Sequence, residues 1–160
     1  MKTLALAAFL IFSTPAYAEN VVIPFGGSLS SAYGDFMAGQ KFSGVINYDR
    51  EVYDQDELYP HFINFTFDVG SLNYVPEVVY ASFNSALGEF SVSGARSEQT
   101  NLTFFGLKST PGFLPTAKQF AGARGVLSFA TVRGTGEDSD PIFSYGSGVA
   151  NVAPVPEPAT

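Results

Sequence analysis

The residues best able to do chemistry in this sequence are acidic, and they fall in two clusters. The runs are YDREVYDQDELY and GTGEDSDP. Carboxylate oxygens supplied by such loops are ligands that Ca²⁺ prefers. Asp54, Asp56 and Glu57 form the better candidate site, because closely spaced carboxylates can converge from a turn. Neither run has the spacing of an EF-hand loop, so a solvated acidic loop that aids solubility is the alternative.

The residue types give little support for a zinc site or for nucleophilic catalysis. The chain has one histidine, His61, and no cysteine, although zinc prefers these ligands and nucleophilic catalysis needs a base beside its nucleophile. We therefore interpret His61 as a residue at the edge of a strand, and we expect no enzyme activity. Paired carboxylates would serve glycoside hydrolysis only if two of them face each other across a groove.

Tyrosine rings offer a different chemistry, because an exposed ring can stack on the face of a sugar. Five tyrosines fall in or beside predicted strands: Tyr48, Tyr53, Tyr59, Tyr74 and Tyr80. The alternative role is packing in the core and pairing across strands. The sequence contains no tryptophan, the ring most often used for large flat contacts.

The N-terminus has the pattern of a secretory signal peptide over residues 1–18. Lys2 precedes an apolar run, and Pro15 ends that run. Ala16 and Ala18 then supply the small residues that signal peptidase reads. The run is far shorter than the roughly 20 apolar residues of a membrane-spanning helix. We expect cleavage after Ala18 and export of the remaining chain.

Composition points to one exported β-domain. The formal net charge of −7 disfavours contact with phosphate backbones, so we expect no nucleic-acid partner. Without cysteine, stability has to come from apolar burial, and 16 Phe and 8 Tyr can supply it.

Strand patterns dominate residues 19–152. In HFINFTFDVG, apolar residues alternate with mostly polar ones, which is the period of a half-buried strand. The residues 77–83 and 88–94 are expected to pair as a hairpin. Further strands are predicted at 41–49, 61–70, 100–107, 125–134 and 142–152. Short strands at this spacing predict an all-β domain, either an antiparallel β-sandwich or a barrel.

Two segments depart from this pattern. Residues 114–123 could form one or two helical turns, with Thr116 as a cap and Gly122 as a stop, or could form a loop. Residues 153–160 carry three prolines, which predicts an extended and solvated tail.

The tail ends in Val-Pro-Glu-Pro-Ala-Thr, after a Pro-rich spacer and in a chain that begins with a signal peptide. This combination resembles the start of the PEP-CTERM sorting signal, in which such a segment precedes an apolar helix and a short basic cluster. Residues 42–59 also resemble an early β-hairpin seen in proteins of this type. The resemblance implies that Pro156, Glu157 and Pro158 are the recognition element.

The resemblance also implies a partner and a destination. The partner during export is an exosortase, an integral membrane enzyme of Gram-negative bacteria, and the destination is the cell surface or the exopolysaccharide matrix of a biofilm. We expect the apolar helix and basic cluster to follow Thr160, so that any membrane contact is through that helix or transient. A chain that stops at Thr160 would instead be released as a soluble exported domain.

These features predict a non-enzymatic surface or matrix protein with a structural or adhesive role. The alternative is a carbohydrate-binding module, with or without calcium. A polysaccharide hydrolase is the third hypothesis, and it requires two inward-facing carboxylates in a groove.

Overall fold

The computed structural model describes residues 19–50, 59–60, 62–95, 99–109, 112–133 and 142–153. Within these ranges the chain forms nine strands and one short helix. The strands are β1 (Asn20–Tyr33), β2 (Lys41–Asp49), β3 (Ile63–Val69), β4 (Leu72–Tyr74), β5 (Val78–Asn84), β6 (Glu89–Ala95), β7 (Gln99–Phe105), β8 (Arg124–Arg133) and β9 (Ile142–Val152), and the helix is α1 (Ala117–Phe120). The predicted all-β fold is confirmed.

All nine strands join one antiparallel sheet in the order β4-β3-β2-β1-β9-β8-β7-β6-β5. The two edge strands, β4 and β5, are separated along the chain only by residues 75–77, so the sheet has to curl until its edges approach each other. Tyr74 of β4 reaches β6, since a β-carbon added to Gly94 would lie 2.7 Å from the Tyr74 hydroxyl. The architecture is therefore a curled, barrel-like sheet and not a sandwich of two sheets.

The inner face of the sheet carries the aromatic core. Alternate residues point inward along each strand, and the largest fully buried side chains include Phe65, Phe67, Phe90 and Phe104. Neighbouring rings lie at ordinary packing distances, such as 5.7 Å between the centroids of Phe65 and Phe67. Burial of this kind provides the stability that disulfides give to many small exported domains.

Glycines on the inner face make room for these rings. A β-carbon on Gly146 would lie 2.6 Å from the Phe129 ring, and one on Gly44 would lie 2.5 Å from the Phe25 ring. In β9 four successive inward positions are small: Ser144, Gly146, Gly148 and Ala150. These small residues let β9 occupy the centre of a sheet in which every other strand except the three-residue β4 points a phenylalanine inward.

The segment 112–123, here called the cap segment, closes one end of the barrel. Phe120 of α1 is fully buried and meets the edges of Phe90 and Phe104, with ring centroids 5.2 and 5.5 Å apart. The predicted helix is therefore a single turn. It begins after Thr116, whose backbone N–H donates to the Gln119 side chain at 2.7 Å, and the chain turns at Gly122 with a φ of 73°.

Residues of β2 and its end hold the cap segment in place. The Tyr48 hydroxyl donates to the carbonyl of Pro115, and burial raises the pKa of Tyr48 well above its ordinary 10.0, against the opposing effect of the nearby Arg50 charge. Arg50 Nε donates to the Leu114 carbonyl at 3.2 Å. The Arg50 guanidinium also pairs with Glu19 at 2.5 Å, so the first described residue is tied to the same end of the barrel.

The strand predictions agree with the structure apart from two omissions. The strand predicted over HFINFTFDVG corresponds to β3, and the predicted hairpin of 77–83 with 88–94 corresponds to the β5–β6 pair, which turns at Gly88 with a φ of 67°. Two strands, β1 and β4, were not predicted. In β1, Pro24 and paired glycines obscure the alternation, and Pro24 lies where β1 has β2 as its only neighbour, because pairing with β9 starts at Phe25.

Candidate functional site

The site residues named from the sequence fall outside the described residues, and their roles stay predictions. They are Ala16 and Ala18 of the signal peptidase site, Asp54, Asp56 and Glu57 of the calcium hypothesis, His61, and Pro156, Glu157 and Pro158 of the sorting motif. In the part of the chain that the structure describes, no group of three or more His, Cys, Asp or Glu residues could hold a metal ion.

The predicted tyrosines divide between the two roles considered for them. Tyr48 and Tyr74 are buried in the core, at 0 % and 1 % exposure, and this agrees with the packing role. Tyr80 is 66 % exposed on β5 and remains available for contact. Tyr53 lies outside the described residues, and Tyr59 is partly exposed before β3.

An open trough of about 540 Å³ crosses the outer face of strands β5 to β9. Its floor is a row of short polar side chains that are direct partners across the strands: Ser93, Asn101, Ser128 and Ser147. Because these side chains are short, residues of the inward-pointing set, such as Thr100 and Gly146, also line the trough. The trough is the space left by small residues on the outside of the sheet.

Tyrosines stand at the two ends of the trough. Tyr80 lies on the edge strand β5, directly across from Ser93. Tyr145 lies on β9 and stacks on its cross-strand partner Tyr33, with centroids 5.4 Å apart and an interplanar angle of 16°. Since β1 and β8 flank β9 on opposite sides, the face of Tyr145 that Tyr33 leaves open is directed toward the trough.

Larger side chains border the trough on one long side. Thr103, Val126 and Val149 are direct partners on β7, β8 and β9, one outward position beyond the floor row. The Thr103 hydroxyl lies 3.0 Å from that of Ser91 and donates to Asn101 Oδ1 at 3.2 Å. The second bond orients the Asn101 amide and leaves its NH₂ group with two donors to offer.

The described lining of the trough is uncharged, since it consists of Tyr, Ser, Gly, Ala, Gln, Thr, Asn and Phe residues. Such a surface can stack, donate hydrogen bonds and accept them. The arrangement matches the general composition of ligand clefts, in which aromatic walls accompany a few convergent polar groups.

A second hollow of about 610 Å³ lies between the cap segment and the outer face of β7 to β9. Phe105, Val126 and Val149 line it and are each nearly half exposed. Its described lining has a single aromatic ring and no row of paired hydroxyl or amide groups, so the trough is the better candidate for specific binding.

The sequence interpretation identified Tyr80 but missed Tyr33, Tyr145 and the floor row. Alternation within the predicted strand 142–152 would have placed Tyr145 on the outer face. The pairing of β1 with β9, which brings Tyr33 against Tyr145, joins residues distant in sequence and had no local signal.

Among the described residues, no helix is long and apolar enough to cross a membrane. Comparison of the chain with protein-family models, with curated proteins and with solved structures finds no match.

Proposed function

We propose that this protein is an exported, non-enzymatic domain of the cell surface or exopolysaccharide matrix, where it has a structural or adhesive role. The observation that carries the proposal is the trough with Tyr80 and Tyr145 at its ends. A tyrosine combines an apolar ring with a polar tip, which suits a contact surface that is wet before binding. The outer face of the sheet is therefore the proposed contact surface.

Export and sorting are supported by the two ends of the sequence, the signal-peptide pattern over 1–18 and the Pro156-Glu157-Pro158 segment. Strand β1 begins at Asn20, so cleavage after Ala18 would leave all nine described strands in the mature chain. It would also leave the pairing of Glu19 with Arg50 in place.

A role in binding is supported by the chemistry of the trough. Its described lining offers hydroxyl, amide and aromatic groups, which recognise a ligand but are poor proton carriers at neutral pH. Glycoside hydrolysis needs two carboxyl groups on either side of the scissile bond, and the described lining of the trough supplies neither.

Fractionation of producing cells tests export and sorting. We expect the protein in the surface and matrix fractions, with Glu19 as its N-terminal residue. Alanine at Pro156, Glu157 and Pro158 together should lower the surface fraction, while alanine at Pro154 serves as the control. A cytosolic protein that still begins at Met1 would contradict the proposal.

Co-sedimentation with isolated matrix polysaccharide tests the contact surface. We expect the wild type to bind and the Tyr80→Ala, Tyr145→Ala double variant to lose binding. Phe105→Ala is the matched control, because it removes an exposed ring from β7 outside the trough. Equal binding by all three proteins would mean that the trough is not the contact surface.

A carbohydrate-binding module assisted by calcium is the second candidate function, and the tyrosine-walled trough favours its carbohydrate part. If the 54–57 cluster binds calcium, added Ca²⁺ should raise the melting temperature by mass action. The Asp54→Asn, Asp56→Asn double variant should remove that rise. An unchanged melting temperature in the wild type would eliminate the calcium part and leave the trough unaffected.

A further inference from the structure

We propose that the trough binds a neutral polysaccharide, in a stretch of about four sugar units between Tyr80 and Tyr145. The proposal rests on the proposed function of the trough as the contact surface, and it adds the charge and the length of the ligand.

The charge of the ligand follows from the charge of the protein. Anionic polysaccharides are recognised through Arg or Lys, which form charge-assisted bonds with carboxylates or sulfates. No Arg or Lys belongs to the described lining of the trough. The formal net charge of −7 also repels an approaching polyanion. A neutral chain meets neither obstacle.

Hydrogen-bonding capacity on the floor fits the hydroxyl groups of a sugar. None of the hydrogen bonds found among the described residues uses the side chains of Ser93, Gln99 or Ser128, and all three line the trough. Serine both donates and accepts, as do the side-chain amides of Gln99 and Asn101. A sugar hydroxyl has the same dual character, so each floor residue can pair with it in either direction.

The length of the ligand follows from the strand order. Tyr80 on β5 and Tyr145 on β9 are four strand steps apart, which is roughly 19 Å at the usual spacing between strands. A single sugar ring is about as wide as one such step, so one sugar can contact only one tyrosine. A chain of about four units is therefore needed to reach from one tyrosine to the other along the row of strands.

Titration of neutral and acidic oligosaccharides tests the proposal. The probes are gluco-, manno- and galacto-oligosaccharides of one to six units, with uronic-acid oligomers of the same lengths. Binding is followed by calorimetry and by tyrosine fluorescence, which no tryptophan obscures. The proteins are the wild type, Tyr80→Ala, Tyr145→Ala and the control Phe105→Ala, each first checked for native circular dichroism.

We expect at least one neutral series to bind, with an affinity that rises to about four units and then levels off. Each tyrosine variant should bind about fivefold more weakly, since one aromatic contact contributes on the order of 1 kcal/mol, and Phe105→Ala should bind like the wild type. Affinity that is independent of length, or insensitive to both tyrosines, would overturn the proposal.

Two further outcomes distinguish a failure of this inference from a failure of the proposed function. If only uronic-acid oligomers bind and the tyrosine variants abolish that binding, the trough is a contact surface but its ligand is not neutral. If neither series binds, both the neutral ligand and the polysaccharide-contact function are wrong.

Discussion

Alternate residues of strands β7 to β9 form the two faces of the sheet, and the two faces differ in how well they tolerate substitution. On β7 the inward residues Leu102 and Phe104 are fully buried, while the outward Asn101 and Phe105 are exposed. On β9 four successive inward residues are small, because side chains and backbone of neighbouring strands fill the space beside them. On the outer face small residues have no such neighbours, and the space they leave is the trough.

This difference shows that small residues have two different roles in this sheet, depending on the face to which they point. An inward glycine is a packing requirement, since any added atom meets a ring or a backbone carbonyl. An outward serine is an available position, where substitution should change binding and leave stability nearly the same. Substitutions on the two faces can test that distinction directly.

The largest effect is expected from Phe120→Ala in the cap segment. Phe120 is fully buried against Phe90 and Phe104, and loss of such a ring leaves a cavity that costs about 3 to 5 kcal/mol. Urea denaturation measures the loss as a shift in midpoint. Phe105→Ala, at a position 47 % exposed, should lower the free energy of unfolding by less than about 1 kcal/mol. Equal losses of stability in the two variants would contradict the distinction between buried and exposed rings.

Gly27→Ala should destabilise the protein by about 3 kcal/mol through overpacking. Its β-carbon would lie 2.0 Å from the backbone carbonyl oxygen of Val149 and 2.6 Å from the Phe42 ring. The neighbouring change Gly26→Ala is the control, because its β-carbon meets nothing closer than 3.3 Å and should alter stability by less than about 1 kcal/mol. A Gly26→Ala protein less stable than Gly27→Ala would contradict the assigned inward and outward faces.

Tyr48→Phe should cost about 1 to 2 kcal/mol, because it leaves the buried Pro115 carbonyl without its donor. The change also affects the response to pH. Burial raises the pKa of Tyr48 above 10.0, so the unfolded chain loses this proton first as pH rises. The contribution is therefore present below pH 10 and is lost above it.

The stability of the wild type should accordingly fall more steeply above pH 10 than that of Tyr48→Phe. Tyr80→Phe, which changes an exposed hydroxyl, is the control and should keep the wild-type slope. Parallel pH profiles for the wild type and Tyr48→Phe would mean that Tyr48 is not held protonated by burial.

The smallest effect on stability is expected from Tyr80→Ala. Tyr80 is 66 % exposed, and surface changes of this kind usually stay within about 0.5 kcal/mol. The same substitution is expected to weaken glycan binding. A large loss of stability would assign Tyr80 to the packing of the β5 edge and not to ligand contact.

Local pattern was sufficient to predict the strands whose alternation is regular, such as β3, and the turn that joins β5 to β6. It failed at β1, where Pro24 and two glycines interrupt the alternation, and at β4, which has only three residues. The barrel-like curl follows from the pairing of β1 with β9 and from the short link between the two sheet edges. Both depend on contacts between distant parts of the chain.

The candidate site was predictable only in part for the same reason. Tyr80 could be recognised as a ring beside a strand, and Tyr145 could be assigned to the outer side of β9. Their position at opposite ends of one surface requires the order of five strands, and Tyr33 lies in a strand with no regular pattern. Spacing along the chain contains no information about this arrangement.

The central position of β9 has a mechanical consequence. Its first residues contribute Tyr145 to the trough, and its last residue, Val152, is followed in sequence by the segment that carries the predicted sorting motif. If the tail is anchored and a polymer is held in the trough, tension between them runs lengthwise along β9. That strand is hydrogen-bonded to β1 on one side and to β8 on the other. A force along β9 would therefore act on many of these hydrogen bonds together, in shear, and would not break them one after another.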